Sequence, residues 1–179
     1  MGRTGILGED ERVELLGGEI IVMAAIGNRH AACVLRLNAR LNSDRLAGRA
    51  LVQVQNPVAA DPYSEPQPDL MLLAHRDDHY DFDHPSPGDV LLLVEVAASS
   101  LDYDRHTKVP FYALAGIREV WIVDLEADRI EAYSDPEAGH YRNVRRYVPG
   151  ESIAPSALPD LELAVAALIP GRRPADAAR

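Results

Sequence analysis

Two short runs of this sequence, residues 69–74 and 90–96, are apolar at nearly every position. A strand with one solvated face alternates apolar and polar residues, whereas a strand buried on both faces is apolar throughout. We therefore predict that both runs are buried strands. The stretch between them, residues 76–88, is polar and rich in His, Asp and Pro, which indicates a loop.

A hairpin is predicted near the N-terminus. Apolar-rich runs at residues 12–16 and 19–23 flank the pair Gly17-Gly18, which is typical of a two-residue hairpin turn. Asn28 then predicts the N-cap of a helix that runs to about residue 47 and stops at Gly48. The core face of this helix consists of apolar residues at helical spacing: Val34, Leu37 and Leu41.

The remaining segments complete an α/β chain without a repeat or an internal linker. Further strands are predicted at residues 51–55, 119–124, 129–133 and 141–148, and a second helix ends near Gly116. We predict a single domain over residues 1–170, followed by a disordered tail over residues 171–179.

Charge and cysteine content exclude several kinds of protein. The formal net charge of −10 argues against broad, nonspecific coating of nucleic acid, but an acidic metal site could still be approached through a local basic patch. Cys33 is the only cysteine, which excludes an intrachain disulfide and a cysteine-based zinc cluster.

No apolar run approaches the roughly 20 residues of a membrane helix, and residues 1–10 lack a signal-peptide pattern. We therefore expect a cytoplasmic protein.

Lys108 is the single lysine among 18 basic side chains, and the others are arginines. A guanidinium is a planar fork that stays charged, whereas an ammonium is a compact point charge whose pKa responds to its surroundings. A lone lysine in such a chain can therefore mark a place where arginine cannot substitute. We expect its ammonium to lie in a solvated cleft.

Two carboxylates lie at the ends of the buried strands, Asp69 at the start of one and Glu95 near the end of the next. If the strands are antiparallel neighbours, the carboxylates fall side by side, and with the Val96 carbonyl they offer the oxygen ligands that Mg²⁺ or Mn²⁺ prefers. Lys108 could then orient water or stabilise charge on a phosphate. The alternative is that both carboxylates make only structural hydrogen bonds.

An ordered series of motifs closely resembles the Uma-type restriction endonuclease family of the PD-(D/E)XK nuclease superfamily. The series consists of PD at 68–69, LVEV at 93–96, SSLDYDRHTK at 99–108, YALAGI at 112–117 and VWIVD at 120–124. The likeness extends from ELLGGEI at 14–20, through His30, to LPDL at 158–161.

This resemblance implies a restriction-endonuclease-like core, with a mixed sheet, flanking helices and the N-terminal hairpin. It also implies a metal-dependent endonuclease that hydrolyses DNA, with Mg²⁺ or Mn²⁺ held by Asp69 and Glu95. The superfamily places its lysine two residues after the acidic residue, where this chain has Ala97. Lys108 is the natural substitute from the following helix.

Pro110 leaves two geometries open for Lys108, because proline is disfavoured beyond the first turn of a helix. Either Thr107 caps a helix that begins at Lys108, or a helix that starts near Asp102 kinks at Pro110. In the second case, Asp104, Lys108 and Tyr112 line one face.

Several further residues are candidates for supporting roles. His30, Asp104 and Tyr112 are expected near the active site, and DNA phosphates are expected to meet three arginines of the first helix: Arg29, Arg36 and Arg40. The His- and Asp-rich loop is interpreted as solvated, because its prolines break any regular ligand spacing. The rival interpretation is a noncatalytic nucleic-acid-binding protein, or a structural homodimer, that keeps the nuclease fold.

Overall fold

The computed structural model describes residues 12–43 and 46–172. Its first element is the predicted hairpin, formed by β1 (Val13–Leu16) and β2 (Glu19–Val22). Gly17 and Gly18 have φ angles of 59° and 83°, which suit glycine at both positions of the tight turn.

Helix α1 (Asn28–Leu41) begins and ends differently from the prediction. Gly27 is the N-cap and Asn28 is already helical, so the assignment of Asn28 as the cap is wrong. The helix stops at Asn42, whose φ and ψ of −86° and 66° leave the helical region, and the predicted extension to residue 47 is also wrong. Asn and Ser side chains compete for backbone hydrogen bonds, and Asn42-Ser43 follow Leu41 directly.

Six strands form the central mixed sheet in the described part of the chain, and their order along the sheet follows the sequence. They are β3 (Ala50–Val54), β4 (Leu70–Ala74), β5 (Val90–Ala97), β6 (Glu119–Asp124), β7 (Arg129–Glu137) and β8 (His140–Tyr147). Strands β5 and β6 are parallel, and each other neighbouring pair is antiparallel. This mixed sheet confirms the predicted fold class.

A continuous helical path connects the parallel pair β5 and β6, which requires such a crossover. It consists of α2 (Leu101–Tyr103), one π-helical turn (Asp104–Lys108) and α3 (Val109–Ala115). Gly116 ends α3 in the left-handed conformation, with φ of 80°. The second helix therefore stops where the sequence predicts.

The C-terminal part adds elements that were not predicted. Strands β9 (Ser152–Ile153) and β10 (Leu163–Ala164) form a small antiparallel pair, and α4 (Val165–Leu168) packs near α1. The predicted tail lies outside the described residues from position 173 onward. Among the described residues, no helix is long and apolar enough to span a membrane.

Apolar residues cover both faces of the sheet, as the two apolar runs indicate. Leu92 and Val94 of β5 face the layer that contains α1, and Leu93 faces the layer that contains α3. Successive side chains of a strand point to opposite faces, so Glu95 is directed toward the α3 layer. A carboxylate is thus placed inside an otherwise apolar strand.

Candidate active site

A cleft of 330 Å³ opens at the edge of the sheet where β4 begins and β5 ends. The hairpin, the start of α1, the end of β5 and the helical crossover each contribute to its lining. Its ionisable lining residues include Glu14, His30, Asp69, Glu95, Asp104 and Lys108.

Asp69 precedes β4 and is held at three points. Its Oδ2 accepts hydrogen bonds from the Val96 backbone N–H at 2.9 Å and from Nε2 of His30 at 3.0 Å, and Oδ1 accepts one from Gln55 at 3.3 Å. Burial opposes ionisation of this carboxyl, but the three donors outweigh it, so its pKa lies below the usual value. Asp69 is therefore an ionised carboxylate at neutral pH, fixed beside the residue that follows Glu95.

Glu95 is almost fully buried, with 4% of its surface exposed. Its Oε1 accepts hydrogen bonds from Nζ of Lys108 at 2.9 Å and from the Tyr112 hydroxyl at 2.6 Å. Burial raises the pKa of this carboxyl to about 8; Lys108 opposes the rise, and the carboxylates of Asp104 and Asp69 add to it. The surroundings of Glu95 therefore penalise its charged form, and the ion pair with Lys108 offsets only part of that penalty.

Lys108 lies between two carboxylates rather than in solvent. Its Nζ is 2.9 Å from Oε1 of Glu95 and 3.0 Å from Oε2 of Glu14, and 3% of the residue is exposed. Burial lowers the pKa of the ammonium, but the two carboxylates outweigh this and raise it. The expectation of a solvated ammonium is wrong, because the hairpin covers Lys108 and supplies Glu14.

The π-helical turn resolves the geometry around Pro110. The Val109 N–H donates to the carbonyl of Asp104, five residues earlier, and Pro110 becomes the second residue of α3. The missing N–H of a proline is tolerated there. The path therefore runs through Pro110 without a break, close to the second of the two predicted geometries, and π-helical turns are frequent at functional sites.

Asp104, Lys108 and Tyr112 follow one another along this path, and all three are buried. Asp104 accepts a hydrogen bond from the Ser100 hydroxyl at 2.7 Å, and burial raises its pKa. The structure thus brings together six of the nine site residues named from the sequence: Asp69, Glu95, Lys108, His30, Asp104 and Tyr112.

Glu14 is the principal site residue that sequence reasoning missed. It lies in β1, is 4% exposed, and accepts hydrogen bonds from the Gln67 backbone N–H at 3.2 Å and the Tyr103 hydroxyl at 3.5 Å in addition to the Lys108 ion pair. A signal for it existed, since a carboxylate between the apolar residues of a predicted strand is costly to bury without a partner.

The arginines of α1 do not line this cleft. The Arg29 guanidinium donates to the Leu125 carbonyl and pairs with Asp128, and Arg36 donates to the Ile169 carbonyl at 3.5 Å. Arg40 is exposed near the end of the helix. Two of the three predicted DNA contacts are therefore engaged with the C-terminal part of the chain.

Four buried carboxyl groups in this cleft exceed what the Lys108 ammonium can balance: Glu14, Asp69, Glu95 and Asp104. An added cation would lower the energy of such a cluster. No group of three or more His, Cys, Asp or Glu side chains within residues 12–43 and 46–172 is arranged to hold a metal ion. Protein ligands for a cation would therefore be few, as is common for Mg²⁺, which keeps several waters.

The comparisons with known proteins agree with this architecture. A family model named Uma2 and described as "Putative restriction endonuclease" matches residues 4–166. The fold is similar to a crystal structure from Anabaena variabilis ATCC 29413, described as a putative nuclease belonging to DUF820. That match has a TM-score of 0.66 at 14% identity and covers 93% of this chain and 94% of the other. No curated protein matches the sequence.

Proposed function

This chain belongs to the Uma2 family of "putative restriction endonucleases", and from that premise we propose that it hydrolyses phosphodiester bonds of DNA with the help of a divalent metal ion. The observation that carries the proposal is the convergence of Asp69, Glu95 and Lys108 in one cleft. Two carboxylates can hold a divalent cation, and an ammonium can stabilise negative charge on a phosphate.

The residues present fit a divalent cation. Asp69 is ionised, and Oε2 of Glu95 makes no hydrogen bond to the described residues, while Oε1 is held by Lys108 and Tyr112. We propose that Asp69 and Glu95 hold Mg²⁺ or Mn²⁺, with Val96 beside them. A bound cation would supply Lewis-acid stabilisation of the negative charge on the phosphate.

The other buried residues would keep these carboxylates in position. His30 fixes Asp69 through Nε2, and Tyr112 and Lys108 fix Glu95 through Oε1. Glu95, Glu14 and, to a smaller extent, Asp104 raise the pKa of Lys108 and so keep its ammonium charged against the effect of burial. Side chains anchored in this way lose little freedom when a substrate binds.

Phosphates outside the cleft would meet exposed cations. Arg36 and Arg40 of α1 are exposed, and with Arg29 they stay our proposal for contacts with the DNA backbone. Each such contact would steepen the loss of affinity with salt by about 0.9 in a log–log plot.

A second candidate function is noncatalytic binding of nucleic acid. It is favoured by the ion pairs that hold Lys108 on both sides and by the small number of metal ligands within the described residues. In that case the carboxylates would be structural, and the protein would bind no divalent cation specifically.

Calorimetric titration with Mn²⁺, together with cleavage of plasmid DNA, separates the two functions. The wild type should bind Mn²⁺ and cut the plasmid, and Asp69→Ala should do neither. Asp83→Ala, which changes an exposed loop carboxylate, is the matched control and should behave as the wild type. Equal Mn²⁺ binding by the wild type and Asp69→Ala would contradict the proposed metal site.

A further inference from the structure

Arg12 is a second cation of the cleft, and its surroundings differ from those of Lys108. It lines the cleft from the position just before β1 and is half-buried. The Met23 backbone N–H donates to the Arg12 carbonyl at 2.9 Å, which fixes the backbone of this residue across the hairpin. The position from which the side chain extends is therefore fixed at the open end of the hairpin.

The guanidinium of Arg12 retains most of its hydrogen-bonding capacity. It offers five N–H donors, and one of them, at Nη1, donates to the Ala24 carbonyl at 3.3 Å. Within the described part of the chain it forms no ion pair. Most of the other arginines whose side chains make contacts within the described residues form ion pairs with carboxylates: Arg29, Arg49, Arg76, Arg105, Arg129, Arg142, Arg146 and Arg172.

A phosphate that enters this cleft needs such a cation. The four buried carboxyl groups repel an anion, and the Lys108 ammonium is already shared between Glu95 and Glu14. A guanidinium presents paired donors that match two phosphate oxygens. Arg12 is thus a lining residue with the charge, donors and accessibility that a phosphodiester requires.

We propose that Arg12 binds a backbone phosphate of the nucleic acid at the mouth of the cleft and so positions the strand against Asp69 and Glu95. This inference rests on the proposed nuclease function, because it names the residue that receives the substrate. Arg12 would bind the substrate, whereas Lys108 would hold the carboxylates of Glu95 and Glu14 in position.

The first test measures binding of a short labelled DNA duplex by fluorescence anisotropy over a range of salt concentrations in EDTA, where metal-dependent cleavage does not occur. Arg12→Ala should weaken binding about tenfold, as expected for loss of a charged hydrogen bond. It should also reduce the log–log salt slope by about 0.9. Arg12→Lys should keep the slope, because it keeps the charge, but recover only part of the affinity.

Arg118→Ala is the matched control. Arg118 is exposed and immediately precedes β6, whereas the cleft lies near the other end of the parallel strand pair. This variant should bind DNA with the affinity and salt slope of the wild type. If Arg12→Ala also matches the wild type, the assignment of Arg12 is wrong and the nuclease proposal is unaffected.

A second readout separates failure of this inference from failure of the proposed function. The ¹⁵N-labelled side chain of Arg12 is followed by NMR during titration with inorganic phosphate, with Arg12→Ala used to assign the Nε–H signal. A phosphate-dependent shift of that signal without DNA binding would support the anion site and refute the DNA function. Absence of a shift, together with absence of DNA binding, would overturn both.

Discussion

Glu14 and Lys108 form a buried ion pair, with Oε2 and Nζ 3.0 Å apart, and this contact ties the N-terminal hairpin to the π-helical turn. The same ammonium contacts Glu95 on β5. Three segments that are distant in the sequence therefore meet at one nitrogen atom. The geometry of the cleft depends on the hairpin as much as on the sheet.

We predict that Lys108→Met strongly destabilises the fold. Removing one partner of a buried ion pair leaves uncompensated charge and typically costs about 3–5 kcal/mol. Glu14→Gln added to Lys108→Met should recover part of this loss, because it removes one of the two stranded carboxylates. Urea denaturation of the wild type, both single variants and the double variant gives the coupling energy. Additive effects would show that the pair contributes nothing specific.

Lys108→Arg should abolish cleavage of plasmid DNA. The site is closed on both sides by Glu14 and Glu95, and a guanidinium is too large to occupy the position of the ammonium. The melting temperature should also fall, although the charge is retained. Cleavage is therefore compared at a temperature where thermal denaturation shows both proteins to be folded. Equal rates would demonstrate that Lys108 has no special role.

Much of the fold could be predicted from sequence patterns that are local. Each of these patterns determines the conformation of only a few neighbouring residues, and the structure has the corresponding elements. The patterns are the apolar runs of β4 and β5, the Gly17-Gly18 turn and Gly116. The predicted end of α1 was wrong because Asn42 and Ser43, whose side chains compete for backbone hydrogen bonds, directly follow Leu41. The short strands β9 and β10 are too brief to show a period.

The site was less predictable, because its geometry depends on contacts between distant segments. Asp69 and Glu95 could be named from their positions at strand ends. The burial of Lys108 could not be predicted, because it follows from the way the hairpin packs over the π-helical turn. Arg29 illustrates the same limit: its pairing with Asp128 depends on where the segment after β6 crosses α1.

Tyr112→Phe should weaken Mn²⁺ binding more than it weakens the fold. The hydroxyl donates to Oε1 of Glu95 at 2.6 Å, so its loss frees the carboxylate to reorient, and loss of a residue that orients a ligand typically costs about 10-fold to 100-fold in metal affinity. Tyr141→Phe is the matched control, because that hydroxyl donates to the Ile117 carbonyl. Both variants should lose about 1 kcal/mol of stability. A similar Mn²⁺ affinity in both would argue against a positioning role for Tyr112.

Glu131 should make the free energy of unfolding depend on pH in the acid range. It is 1% exposed and accepts hydrogen bonds from Arg105, Arg146 and Tyr133. Burial opposes ionisation, but these donors outweigh it and hold the pKa of Glu131 below its usual value. A carboxyl with a lowered pKa in the folded state binds protons more readily when unfolded.

The stabilisation from Glu131 should therefore be complete above the unfolded pKa of about 4.3 and disappear as the pH falls through the folded value. We expect Glu131→Gln to lose about 3 kcal/mol at pH 7, because Arg105, Arg129 and Arg146 then lose this buried carboxylate as a partner. The difference from the wild type should shrink steadily below about pH 4. Urea denaturation at several pH values measures this, with Glu137→Gln as the control, since Glu137 pairs with Arg142 on the surface and should contribute little at any pH. A difference that stays constant from neutral to acid pH would mean that Glu131 acts through packing rather than charge.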